Sequence, residues 1–335
     1  MKKILSIALV VLMALTVFSA CGSEKTVDFG MGVYTYYGTA SSAEGDTNGK
    51  GEVVATVAAV LVDADGKIVK CDIDSVDISV AYTSAGACVV DGEFKTKYEL
   101  GADYGMAAYG GDNNGDGVVK EWFEQIDAFE GVVVGKTIDE VKALAAGGYY
   151  GTEEVQNAGC TIGITDYVKA VEKAVANASA SGATASNNLK VSAVTAVTAD
   201  DATAEADGAI ELEITVSAVS TNGAKVTHCA TDVAAAKITF DAKGVATTNT
   251  TADIVTKLEK GADYGMTAYG TDLNGDGKVL EWYEQAAAFN AACVGKTADE
   301  ISALVVDGYG TEDVQNAGCT MGIADMVKAV VKAAK

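Results

Sequence analysis

The chain has 335 residues, with 24 basic against 47 acidic side chains and a formal charge of −23. That charge excludes nucleic acid as a partner, because affinity for nucleic acid is built on neutralising phosphates with Lys and Arg. Arginine and proline do not occur; the first absence removes the usual bidentate clamp for phosphate and carboxylate, while 49% hydrophobic residues over this length supply two cores and exclude general disorder.

The N-terminus reads as an export signal. Lys2 and Lys3 precede an uncharged apolar stretch from Ile4 to Phe18, and Ser19, Ala20 and Cys21 follow. A basic start, an apolar middle and small residues at the cut are the order of a secretory signal, and the stretch is short for a permanent span. FSAC followed by Gly22 and Ser23 looks like a lipobox with Phe18 where a smaller aliphatic is usual. Residues 1–20 are therefore expected to be removed and Cys21 to be acylated, which would tether the chain to the outer face of a bacterial cell membrane.

The rest is written twice. GADYGM recurs at 101–106 and 261–266, NGDG at 114–117 and 274–277, VGKT at 134–137 and 294–297, and VQNAGCT at 155–161 and 314–320. One residue is lost where Tyr149 and Tyr150 face Tyr309 alone. Two long copies fit tandem modules better than a solenoid of short repeats. The expected boundaries are 21–176 and 189–335, joined by a polar, small-residue linker at 177–188.

In chain order, each copy starts with strands. Residues 51–63, a turn at Asp65-Gly66 and KIVKCDID predict a β-hairpin, as do IELEITVSAV, Asn222-Gly223 and AKVTHC in the second copy. Further strands are expected around Asp77 to Tyr82 and Lys237 to Phe240. The period then becomes helical in VVKEWFEQIDAFEG, in IDEVKALA capped by Thr137, and in TDYVKAVEKAVANA. The expectation is an α+β fold: two tandem modules, each an antiparallel β-meander followed by helices.

Between strands and helices lies a DxNxDG loop, with Asp112, Asn114 and Asp116 in the first copy and Asp272, Asn274 and Asp276 in the second. Oxygen side chains at positions 1, 3 and 5 with glycine at 6 suit a calcium loop of the EF-hand type, with a structural role for Ca2+. The closing glutamate is out of register, since Phe123 or Tyr283 stands at position 12. The other reading is an Asx-rich turn that opens the next helix. EWFEQ at 121–125 and EWYEQ at 281–285 read as core anchors on amphipathic helices.

His228 is the only histidine, and Lys70 stands at the matching place in the first copy. Nucleophile, base and orienter cannot be assembled into a set, so a hydrolytic or transferase enzyme is not expected. The cysteine spacing matches neither a zinc set nor a CxxC motif; Cys71 matches Cys229, Cys160 matches Cys319, and Cys88 and Cys293 have no counterparts. Mostly buried free thiols are expected.

A DADGKIV-type hairpin and a GxT segment leading into a final amphipathic helix resemble the FMN-binding domain family of bacterial membrane-associated redox proteins, and most of all its lipoprotein members. The resemblance implies FMN carried on the last Thr of a D-x-x-S-G-A-T segment through a phosphoester bond, with electron transfer as the flavin's chemistry. It places the cofactor at Gly159, Cys160 and Thr161, and at Gly318, Cys319 and Thr320. Ala158 and Ala317 stand at the serine place, and Val155 and Val314 at the aspartate place. The implied function is an extracytoplasmic flavin-based electron carrier with redox partners at the membrane. The alternative is a flavin-free surface lipoprotein that binds small ligands or has a structural role, stabilised by calcium.

Overall fold

The computed structural model describes residues 24–335 other than Asp91, Glu93, Asn113, Asn114, Asp116, Thr271, Leu273, Asn274 and Asp276. The expected export signal and the expected acylation site, Cys21, lie outside the described residues. In the first half, strands β1 (Thr26–Ser41), β2 (Gly49–Val62), β3 (Ile68–Tyr82) and β4 (Cys88–Val89) precede helices α1 (Lys97–Leu100), α2 (Met106–Tyr109), α3 (Trp122–Val133), α4 (Ile138–Leu144), α5 (Glu153–Ala158) and α6 (Thr165–Ala176). The second half has β5 (Ser179–Thr184), β6 (Asn188–Asp200), β7 (Gly208–Asn222) and β8 (Lys225–Phe240), then α7 (Lys257–Lys260) and α8 (Trp282–Cys293). It closes with α9 (Ala298–Ser302), the two-residue strands β9 (Val305–Val306) and β10 (Tyr309–Gly310), α10 (Glu312–Asn316) and α11 (Ala324–Ala333). The protein is α+β, with antiparallel sheets ordered β4-β3-β2-β1-β5 and β6-β7-β8.

The expected hairpins are β2–β3 and β7–β8, turned at Gly66 and Gly223 with φ of 76° and 58°. The strands expected near residues 77–82 and 237–240 are the far ends of β3 and β8. The expected helices are α3, α4 and α6, and Thr137 caps α4 in a capping box with Glu140. The second copy repeats that box with Thr297 and Glu300.

The two meanders pack face to face and the helices cover their outer faces, giving four layers. Alternation along each strand sorts side chains between cores. Val53, Ala55, Val57, Ala59 and Leu61 of β2 meet Ile210, Leu212, Ile214, Val216 and Ala218 of β7 in the central core. Ala58, Val60 and Val62 face the first helical layer, and Val219 and Val233 the second. Burying each of these Val, Leu and Ile side chains contributes roughly 1.5–3 kcal/mol. Helix α6 lies close on β1 because Gly30 and Gly32 have no side chain: a Cβ there would stand 1.9 Å from the Ala174 carbonyl oxygen and 2.3 Å from that of Ala170.

The segment 177–188, expected as a flexible linker, is ordered. Asn177 Nδ2 donates to the Met31 carbonyl (3.0 Å), Ser181 Oγ donates to the Val27 carbonyl (2.8 Å), and β5 pairs with β1. Ala183 is buried in the central core. β5 is the edge strand of the first sheet, and its small polar residues suit an edge on which only Ala183 is buried.

Candidate functional site

The GCT segments lie after a helix end. Gly159 terminates α5 with φ 102°, and the next helix begins only at Thr165. The amides of this segment have acceptors inside the protein: Gly159 N–H donates to Gln156 O, Cys160 N–H to Val155 O, and Thr161 N–H to Gln125 Oε1 at 2.8 Å. Gly318 has the same left-handed backbone (φ 106°), and Gly318 and Cys319 donate to Gln315 O and Val314 O. Cys160 and Cys319 are fully buried, and burial pushes their thiols up to about 11 and about 12.

Gln125 explains why EWxEQ and GCT travel together. Its side chain is buried; Nε2 donates to the Lys120 carbonyl (2.9 Å), and Oε1 receives both the amide and the hydroxyl of Thr161 (2.8 and 3.1 Å). Gln285 does the same with Leu280, Thr320 and Met321. Trp122 and Trp282 are the buried anchors expected of the motif.

Thr161 is half-buried and lines a cleft of about 360 Å³ on the helical side of the first sheet, whereas Thr320 is buried. The cleft brings together residues that are far apart in sequence. Tyr36 comes from β1, Asp77 from β3, Lys97 from α1, Trp122 and Gln125 from α3, Asp166 and Tyr167 from α6, and Tyr149 and Tyr150 from the α4–α5 loop. Trp122 Nε1 donates to the Tyr167 hydroxyl at 2.8 Å. Tyr149 is 70% exposed and meets Tyr150 edge-on at the mouth. Lys97 Nζ lies 3.0 Å from Asp77 Oδ2 and over the rings of Tyr104 and Trp122. Burial, with Asp166 beside Tyr36 and Asp77 beside Tyr104, pushes both phenols far above their ordinary range, so they remain hydrogen-bond donors.

The second half keeps the upper part of this arrangement and changes the floor. Lys257, Tyr264, Met266, Trp282, Gln285 and Asp325 stand where the first half has Lys97, Tyr104, Met106, Trp122, Gln125 and Asp166. The strand register sets Ala196, Glu213, Val233 and Ala235 against Tyr36, Val54, Ser75 and Asp77, and Met326 replaces Tyr167. Lys257 pairs with Glu213 at 2.8 Å, so the lysine keeps a carboxylate but from a different strand.

In the DxNxDG loops, Asn114, Asp116, Asn274 and Asp276 lie outside the described residues. Asp112 receives the amides of Gly115 and Gly117 (2.7 and 2.9 Å), and Asp272 those of Gly275 and Gly277 at the same distances. Glu121 with Glu124, and Glu281 with Glu284, form capping boxes on α3 and α8. Among the described residues, groups of three or more side chains able to hold a metal ion are absent. The six described cysteines are free thiols, and among the described residues none of the helices is long and apolar enough to cross a membrane.

The chain is matched by none of the family models, curated proteins or solved structures searched.

Proposed function

We propose that the protein is an exported lipoprotein, tethered through Cys21 at the extracytoplasmic face of the cell membrane, that captures a small uncharged ligand with a flat ring in the first-half cleft. The observation that carries this reading is the composition of that cleft. Tyr faces offer stacking, protonated phenols offer directed hydrogen bonds, and Asp77 and Asp166 oppose an anion. Lys97, the cation of the lining, is matched by Asp77.

A second reading is favoured by Thr161, which stands on the wall of this same cleft. FMN esterified on that hydroxyl would carry no free phosphate dianion, its ring would lie among Tyr and Trp, and the protein would pass electrons between membrane and exterior. Thr320 would be the acceptor in the second half, where its burial opposes modification of the folded chain.

The visible spectrum of the protein co-expressed with a flavin transferase, taken before and after denaturation and desalting, separates the two. The capture reading expects a colourless chain that binds riboflavin more tightly than FMN, because the phosphate would meet Asp77 and Asp166. Yellow colour that stays with the unfolded chain, and is lost in Thr161→Ala with Thr320→Ala, establishes the covalent flavin instead. Tighter binding of FMN than riboflavin overturns the uncharged-ligand reading.

A further inference from the structure

The second helical core contains a thiol pair that the first lacks. Cys229 on β8 and Cys293 at the end of α8 are 3% and 0% exposed and belong to one packed cluster. Cys229 Sγ lies 3.4 Å from the carbonyl oxygen of Asn290, one helical turn before Cys293 on the same face of α8. Cys293 beside it, together with burial, pushes the Cys229 thiol well above its ordinary range. In the first half Cys71 occupies the place of Cys229, but Glu130 and Val133 stand where α8 has Asn290 and Cys293. The two exchanges on α8 together replace a carboxylate and a methyl pair with a neutral acceptor and a second thiol opposite the first.

We propose that Cys229 and Cys293 are an oxidation site that closes to an intramolecular disulfide, clamping the end of α8 to β8, when the folding chain meets a small-molecule or protein disulfide. The thiolate of one cysteine attacks the carrier disulfide and releases one carrier thiol. The second cysteine, as thiolate, then attacks the mixed disulfide and releases the other. Two protein thiols lose two protons and two electrons, and one carrier disulfide gains both. Burial makes the native dithiol slow to react, so closure belongs to folding or to local opening of α8. This inference is independent of the cleft and its ligand.

The test refolds the denatured, reduced protein in a mixture of glutathione and glutathione disulfide, alkylates remaining thiols in denaturant, and maps the peptides. The expected product is about 2 Da lighter before alkylation, with the Cys229 peptide joined to the Cys293 peptide and Cys71, Cys88, Cys160 and Cys319 alkylated. Its melting temperature falls on reduction. Cys293→Val, which gives the second half the residue of the first, abolishes both the link and the reductant effect. Alkylation of both Cys229 and Cys293 in the refolded wild type overturns the proposal, as does a link from Cys293 to Cys319, its neighbour in the same core. The wild-type map decides even if the variant does not fold.

Discussion

Tyr82 and Phe240 stack ring on ring across the two sheets, with centroids 4.1 Å apart and planes within 7°. They are equivalent residues, the last of β3 and the last of β8. Two ion pairs show the same reciprocity: Lys173 reaches Glu259, and its counterpart Lys332 reaches Glu99, each at 2.5 Å. Residue and counterpart exchanging partners is the mark of a two-fold interface, here within one chain. Tyr82→Ala is expected to destabilise the protein by about 3 kcal/mol or more, since it removes a fully buried ring. Tyr82→Phe costs much less, because only its hydroxyl's hydrogen bond, shared between the Ser41 and Lys50 carbonyls, is lost. Urea unfolding measures both, and equal losses would place the energy in that hydrogen bond and not in the stack.

Gly32→Val is expected to abolish folding or cost several kcal/mol, because β1 and α6 would have to separate. Gly66→Ala, at a turn with open space around it, costs about 1 kcal/mol from its positive φ. Circular dichroism melts rank the two, and similar losses would sink the close-packing argument.

Gln125→Leu removes the oxygen that receives the Thr161 amide and hydroxyl. The expected loss is about 1–3 kcal/mol, with Gln285→Leu similar. Gln125→Leu is also expected to weaken ligand capture in the first-half cleft, while Gln285→Leu leaves it unchanged; titration of both variants with riboflavin reads this.

Asp74 and Asp232 are matched buried carboxylates, each receiving the amide of the next strand residue and one amide at the start of a short helix, that of Tyr98 or Leu258. Burial raises both to about 6 from an ordinary 3.8. The folded state therefore holds these protons more tightly than the unfolded chain. Their contribution is fully present below about pH 4 and is lost as pH rises through about 6, to a ceiling of roughly 3 kcal/mol per site. Asp74→Asn with Asp232→Asn should flatten stability between pH 4 and 7. An unchanged pH profile in the double variant would assign the dependence to other groups.

Calcium at the DxNxDG loops would act through Asp112 and Asp272, whose carboxylates already order the loop backbone. A bound ion raises the melting temperature in excess calcium relative to chelator, and Asp112→Asn with Asp272→Asn removes the rise. Equal melting temperatures in calcium and chelator leave both loops as turns.

The hairpins, the helices and the Thr137 cap were legible because their signals are local: Asp-Gly and Asn-Gly turns, a helical period, and a hydroxyl three residues before Glu140. Strand β1 was not, since Gly30 and Gly32 interrupt it for the sake of a helix that arrives some 140 residues later. The same distance hid the cleft. Tyr36, Asp77, Tyr104 and Tyr167 show no pattern along the chain, and only folding collects them. The usable signal lay in the differences between the copies, at Tyr149-Tyr150 against Tyr309 and Tyr167 against Met326. The recurring GCT drew attention to Thr161, but its constancy serves the glutamine clamp shared by both halves.

The reciprocal packing of the halves bears on how the first-half cleft can change. In a dimer of identical subunits every substitution is made twice, so a carboxylate moved in one binding floor moves in the other. Joined in one chain, the halves are free of that constraint. The shift from Asp77 to Glu213 as the lysine's partner, and from Tyr167 to Met326, alters one floor alone while the stacked pair and the crossed ion pairs go on holding a nearly symmetric frame.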